Sequence, residues 1–301
     1  MVQATFTFAD AADIDASVAA LPRQGYWRTV EHRLRTDYVT LFFLAIIALL
    51  VVVALFAPLL APFDPNKTSM LYRLKPIGYR HFLLGTDELG RDMLSRLVYG
   101  VRLSLTMGLV PVIFAAAIGG FFGLVAGFRG GWVNAVIMRV TDIFYAFPSV
   151  LLAVAISGTM GGGIFNGLLA LTLVFIPPLC RVTEAVTTQL RNRDFVEAAR
   201  ASGASSLSII FFHMLRNILG PVLIYASSLI SVSILLASGL SFLGLGVEPP
   251  TSDWGLMLST LRQSIYVQPL VCALPGAAIF IASLSFNLVS DGLRHAMDIK
   301  S

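Results

Sequence analysis

Polar and apolar positions in this chain segregate into long blocks. Residues 38–60 run almost unbroken in Leu, Ile, Val, Ala and Phe, long enough for the ~20 helical residues that a bilayer core requires. Comparable runs follow at about 103–127, 133–156, 164–179, 218–240 and 270–289. The pattern predicts an all-α integral membrane fold of six transmembrane helices. The second run places Gly119, Gly123 and Gly127 at four-residue intervals, a stripe of small side chains that permits close helix contact. Before it, residues 85–100 read GTDELGRDMLSRLVYG. Met93, Leu94, Leu97, Val98 and Val101 share one face, with Arg91, Asp92, Ser95 and Arg96 largely opposite. That periodicity predicts an interfacial helix lying along the membrane before the second span.

The second polar interruption separates the fourth span from the fifth. Residues 194–216 read DFVEAARASGASSLSIIFFHMLR. Asp194 is placed to cap a short helix, and Glu197 three positions on completes a capping-box pattern. Phe195, Ala198, Ala199 and Ser202 then fall on roughly one face. Gly203 stands where a left-handed residue would close that helix, and Ser206 can cap a second one carrying Leu207, Ile209, Ile210, Phe211 and Phe212. The expected element is a helix–glycine–helix knuckle, polar at its tip and apolar at its root. His213 stands at that root, as a simple polar residue or as a contact to a partner. Within the third run, Arg139 and Asp142 are three apart and can pair on one face. A proton relay is one reading of such a pair, and a structural intramembrane pair is the reading its place near one end of the span favours.

Composition removes whole classes of function. Hydrophobic residues make up 56% of the 301 positions and charged ones 13%, about half the charge of a soluble domain. The net charge of +4 is scattered, with no basic block that could follow a nucleic-acid backbone. Cys180 and Cys272 both lie in apolar runs and read as buried side chains. A nucleotide site would need a glycine-rich loop ending in Gly-Lys-Ser/Thr, yet none of Lys67, Lys75 and Lys300 follows a glycine. His32, His81, His213 and His295 show no metal-ligand spacing. No catalytic constellation, cofactor site or metal site is therefore expected in this chain.

Charge also orients it. With both ends on one side, thirteen Lys and Arg share the knuckle's side and eight lie opposite, which places the knuckle and both termini in the cytoplasm. The expected division is a cytoplasmic tail at 1–37, a first span at 38–60, an extracytoplasmic loop with the interfacial helix at 61–102, and a core of five spans at 103–301. Residues 1–20 hold Asp10, Asp13 and Asp15 and no basic start, so no signal peptide is expected.

Glu197-Ala198-Ala199, three residues and Gly203 resemble the EAA loop of ABC-importer permeases. That pattern continues with Ile, one residue, Leu and Pro, where this chain has His213, Met214, Leu215 and Arg216. The APFDP end of the first span, GTDELGRD, and SFLGLGVEPP through SDGLR are similar to the C-type permease subunits of dipeptide, oligopeptide and nickel importers. This resemblance implies a bacterial inner-membrane subunit working with a homologous B-type permease, two ATP-binding subunits and an extracytoplasmic solute-binding protein. ATP and magnesium would then sit on the partner ATPases. It further implies that Asp194, Glu197, Ala198, Ala199, Gly203 and His213 form the ATPase-coupling element. Asp64, Asp87, Glu88, Glu248 and Asp253 are candidates for docking the binding protein. The rival reading is a stand-alone secondary transporter or channel, with Arg139 and Asp142 as its ion site.

Overall fold

The computed structural model describes residues 26–297. Of the tail expected over 1–37, residues 1–25 lie outside them, as do residues 298–301. Among the described residues the chain is helical, with turns, two isolated β-bridges and no strand. Helix α1 (Tyr26–Thr36) leads into α2 (Tyr38–Leu55). Asp37 caps α2, accepting from the backbone N–H groups of Val39 at 3.1 Å and Thr40 at 3.2 Å. Its carboxylate satisfies amides that a helix start leaves without a partner. A short helix, α3 (Ala57–Leu60), follows.

The interfacial helix expected over 85–100 does not form as a separate element. Helix α4 (Met93–Arg129) begins at Met93, capped by Asp92, and continues without a break through the second span. Its 37 residues rise about 55 Å, far more than the roughly 30 Å of a bilayer core. Arg91, Asp92, Ser95 and Arg96, expected on the water-facing side, are buried. Polar side chains turn inward here because hydrogen-bonding partners wait inside the fold.

The expected third span is broken in two. Helix α5 (Gly131–Tyr145) and helix α6 (Ser149–Met160) meet at an angle of 84°. Pro148 lacks an amide hydrogen and forces Phe147 away from helical geometry. Helix α7 (Ile164–Arg191) passes through Pro177-Pro178 instead of ending there, so the fourth span extends 12 residues beyond the expected 179. After α8 (Asp194–Ala201), helix α9 (Ser206–Phe242) carries the fifth span and starts well before the expected 218. Helices α10 (Trp254–Leu261) and α11 (Pro269–Met297) complete the bundle.

Among the described residues five helices are each long and apolar enough to cross a membrane, and the α5–α6 pair taken as one broken span makes six. Helices α4 and α7 pack most extensively, α9 packs against both, and α11 packs against α9 and α2. Their contact runs along the glycine stripe: a Cβ on Gly123 would lie 2.3 Å from the Cys180 carbonyl oxygen. One core cluster joins Leu171, Leu179, Val196, Ile209 and Met214, and a second joins Met93, Trp254, Met257, Leu261 and Val271. In α2 only 6% of the apolar window is buried, so most of that helix lies on the outside of the bundle.

Candidate functional site

The knuckle forms, with its caps shifted. Arg193, in extended backbone, is the N-cap of α8, and Asp194 is the first helical residue. The expected capping box is absent: neither Asp194 nor Glu197 makes a side-chain hydrogen bond among the described residues. Both sit in the first turn, where negative charge is favoured by the helix dipole. Ser205, one residue before the expected Ser206, caps the following helix through its hydroxyl and the Ser208 N–H at 3.3 Å.

Gly203 takes the left-handed conformation expected of it, with φ of 80°. Its N–H donates to the Arg200 carbonyl at 3.0 Å, and the Ala204 N–H donates to the Ala199 carbonyl at 3.1 Å. These two bonds make a Schellman closure, which satisfies carbonyls that the helix end would otherwise leave bare.

Val196 anchors α8. It is fully buried, packed in the cluster that holds Ile209, Met214 and Phe128. The Arg200 guanidinium lies 5.9 Å from the Phe128 ring centroid, and Arg191 donates to the Gly127 carbonyl at 3.2 Å. The ends of α4 and α7 thus hold the knuckle from beneath. The face that these residues were expected to share stays outward: Phe195, Ala198 and Ser202 are exposed and Ala199 is half-buried. Leu207, Phe211 and Phe212 are also exposed, at 68%, 60% and 76%. Exposed large apolar side chains grouped on one segment make it a candidate interaction surface. Behind it, Ile209–Met214 forms a turn of π-helix, with His213 exposed and its carbonyl accepting from Asn217 Nδ2 at 2.7 Å. Such widened turns recur at functional positions in helices.

The expected Arg139–Asp142 pair does not form. Asp142 pairs with Arg181 of α7 instead. The Arg181 guanidinium also lies 5.2 Å from the Tyr145 ring centroid, while Arg139 is exposed without a partner among the described residues. A cross-helix partner displaces the helix-local one because Thr141 and Asn134, which reach Cys180 and Glu184, turn this side of α5 toward α7.

Two of the expected docking acids are interior. Asp87 accepts from Arg91 Nε at 2.6 Å, with Arg96 Nε at 3.5 Å, and both arginines are buried. Glu88 takes the other side of Arg91 at 2.9 Å. Asp253 caps α10 and accepts from the Ser104 hydroxyl at 3.1 Å. Burial pushes its pKa up against those hydrogen bonds. These groups build the fold, while Asp64 and Glu248 remain exposed.

Comparison with known proteins places this architecture. Residues 119–300 match the family described as binding-protein-dependent transport system inner membrane component, and 25–76 match the N-terminal TM domain of oligopeptide transport permease C. The chain is 43% identical over 284 residues to the di/tripeptide transport system permease protein DppC of Pseudomonas aeruginosa, covering 93% of this chain and 92% of that one. It is 37% identical over 274 residues to the glutathione transport system permease protein GsiD of Pectobacterium atrosepticum, covering 91% of each. The fold is similar to a chain of the inward-facing MetNI methionine ABC transporter, with a TM-score of 0.57 and 20% identity, over 68% of this chain and 97% of that one. A bundle of five or six spans with this sequence kinship along nearly its whole length belongs to the binding-protein-dependent transport system inner membrane components.

Proposed function

We propose that this chain is one of two permease subunits of an ATP-driven importer for di- or oligopeptides or related small solutes. The observation that carries the reading is the knuckle: an apolar patch held outward on a short helix whose root is locked into the core at Val196. A lever needs both properties, an accessible tip and a rigid base. The names of the similar permeases, for dipeptides and for glutathione, support the solute class.

In this reading a homologous B-type permease completes the path, two ATPases holding ATP and magnesium supply energy, and an extracytoplasmic binding protein delivers solute. The knuckle and both termini face the cytoplasm. Residues 194–216 seat in the ATPase, with Phe195, Ala198 and Ser202 outward, Gly203 permitting the turn, and His213 beside the contact. Movement of the knuckle carries α7 and α9 as rigid bodies, switching the path between two states.

The test is reconstitution of this chain with its partners in liposomes. ATP-driven uptake of a dipeptide should persist when the proton gradient is collapsed at constant ATP. Uphill uptake by this chain alone, or abolition by the protonophore, would favour a secondary carrier and refute the proposal.

A further inference from the structure

Counting α5–α6 as one broken span, the loop from α3 to α4 lies at the end of the bundle opposite the knuckle. Two arms of that loop meet at Gly90. The Ser69 N–H donates to the Leu89 carbonyl at 3.0 Å. A Cβ on Gly90 would lie 1.9 Å from the Ser69 carbonyl oxygen, so a larger residue would hold the arms apart. Between them opens a cavity of about 260 Å³, walled by Phe63, Tyr72 and Phe82. Phe82 packs between the other two rings, with centroids 5.4 and 5.3 Å away.

Charges of both signs line this cavity. Asp64 and Asp92 are its carboxylates, Lys67 and Arg80 its fixed cations, and His81 is counted neutral at pH 7. None of them pairs with another within 4.0 Å among the described residues. Arg80 takes φ of 50°, a conformation that disfavours side chains, in a turn closed by the Phe82 N–H donating to the Tyr79 carbonyl at 2.9 Å. Its guanidinium rests 5.4 Å from the Tyr79 ring centroid and donates to no acceptor among the described residues. Asp92 is 2% exposed; its Oδ2 accepts from the Ser95 N–H at 2.8 Å, and its Oδ1 has no partner. Arg91 and Arg96 turn instead to Asp87 and Glu88. Two cations thus meet two carboxylates, and Asp92 is the carboxylate left over in the buried cluster. A buried polar atom without a partner calls for a reason.

We propose that this cavity is an outer binding site for a short zwitterionic peptide. Asp64 takes the ammonium against the negative wall at Asp92, and Arg80 with Lys67 takes the carboxylate. The role rests on the permease reading given above, whose orientation puts the cavity where solute arrives. Opposite charges that share a cavity without pairing are spaced for a ligand that carries both. A ligand of one sign would meet repulsion at one end, and a zwitterion meets none. The guanidinium fork matches a carboxylate, and the aromatic walls suit apolar side chains. The volume falls just below the roughly 300 Å³ at which small-molecule sites begin, which favours a dipeptide over longer chains. Asp64, Lys67 and Arg80 are exposed to water, so each contact is weak, as suits a solute that must move on.

The test uses the full chain in lipid nanodiscs and, separately, the complete transporter in liposomes. Radiolabelled dialanine is the probe, with N-acetyl-dialanine and dialanine amide as competitors. Dialanine should bind saturably, and each blocked form should compete about fivefold less well, the upper end for an exposed ion pair. Asp64→Asn should erase the advantage of dialanine over its acetylated form, and Arg80→Gln its advantage over the amide. Both side chains are exposed, so the melting temperatures should not move. Absence of saturable binding would overturn the proposal, as would variants that discriminate against both blocked forms as the wild type does. So would unchanged dialanine binding beside weaker docking of the binding protein, which would assign the cavity to that protein. A complete transporter that moves no dialanine with ATP present, while the chain still binds it here, would refute the permease reading instead.

Discussion

The backbone N–H of Ala204 donates to the carbonyl of Ala199 across Gly203, at 3.1 Å. That bond exists only while Gly203 keeps φ of 80°, a conformation that disfavours any side chain by about 1–2 kcal/mol. A Cβ there would meet nothing within 4 Å, so backbone strain is the sole obstacle. Gly203→Val should loosen the knuckle while leaving the spans inserted, and Gly203→Asn, which tolerates this region, should be mild. The expected readout is more ATP hydrolysed per solute moved in the valine variant, with the melting temperature of the purified complex nearly constant. A valine variant with wild-type coupling would remove the closure from any role in transmitting motion.

The seam between α4 and α7 responds differently, because there the obstacle is contact. A Cβ on Gly123 would come within 2.3 Å of the Cys180 carbonyl oxygen and 2.7 Å of Thr183 Cβ. Backbone cannot yield as a flexible side chain can. Gly123→Ala should therefore destabilise by about 1–3 kcal/mol, the range for overpacking. Gly120→Ala, on the same helix with nothing within 4 Å of the added carbon, should be neutral or slightly stabilising. Thermal denaturation of the detergent-purified protein compares the two, and equal midpoints would contradict the seam.

These two glycines also mark what could be read from sequence. The four-residue glycine stripe signals a close helix contact and the glycine after EAA a left-handed closure, and each shows in the spacing alone. The apolar blocks were legible too, since crossing a bilayer sets a minimum length. What failed was the facing of one amphipathic segment and the pairing of one charged side chain. The 85–100 segment has a real amphipathic period, but periodicity does not say whether the polar face meets water or buried arginines; here Asp87, Arg91 and Arg96 face one another. Arg139 and Asp142 have the spacing of a helical pair, but Arg181, 39 residues further along, is the partner that packing brings to Asp142. Pro148 was visible as a residue, and the 84° turn it permits was not.

The buried cluster yields its own prediction. Asp87 and Arg91 are 2% and 4% exposed, and Asp87 also accepts from the backbone N–H groups of Leu89 at 2.9 Å and Arg91 at 2.8 Å. Asp87→Asn keeps the volume but leaves Arg91 and Arg96 with too little negative charge around them. Stranding a buried charge in this way costs about 3–5 kcal/mol. The double variant Asp87→Asn, Arg91→Gln should lose less than the sum of the single changes, because each removes the other's unpaired partner. A thermal double-mutant cycle measures that coupling, and strict additivity would mean the pair contributes nothing as a pair.

Asp253 sets a pH dependence. It is 3% exposed, its neighbours are hydroxyls and amides, and burial raises its pKa above the ordinary carboxylate value. The folded protein then holds this proton more tightly than the unfolded chain does. Its contribution to stability is greatest below about pH 4, the unfolded value, and falls as pH rises through the raised folded value. Asp253→Asn retains an oxygen to accept the Leu256 N–H, which now lies 3.1 Å away, and carries no charge to desolvate. The melting temperature of the variant minus that of the wild type should therefore grow between pH 4 and pH 8. A difference that stays flat, or shrinks, would mean that the carboxylate finds a cation in the assembled membrane complex and is not a buried charge held by hydrogen bonds alone.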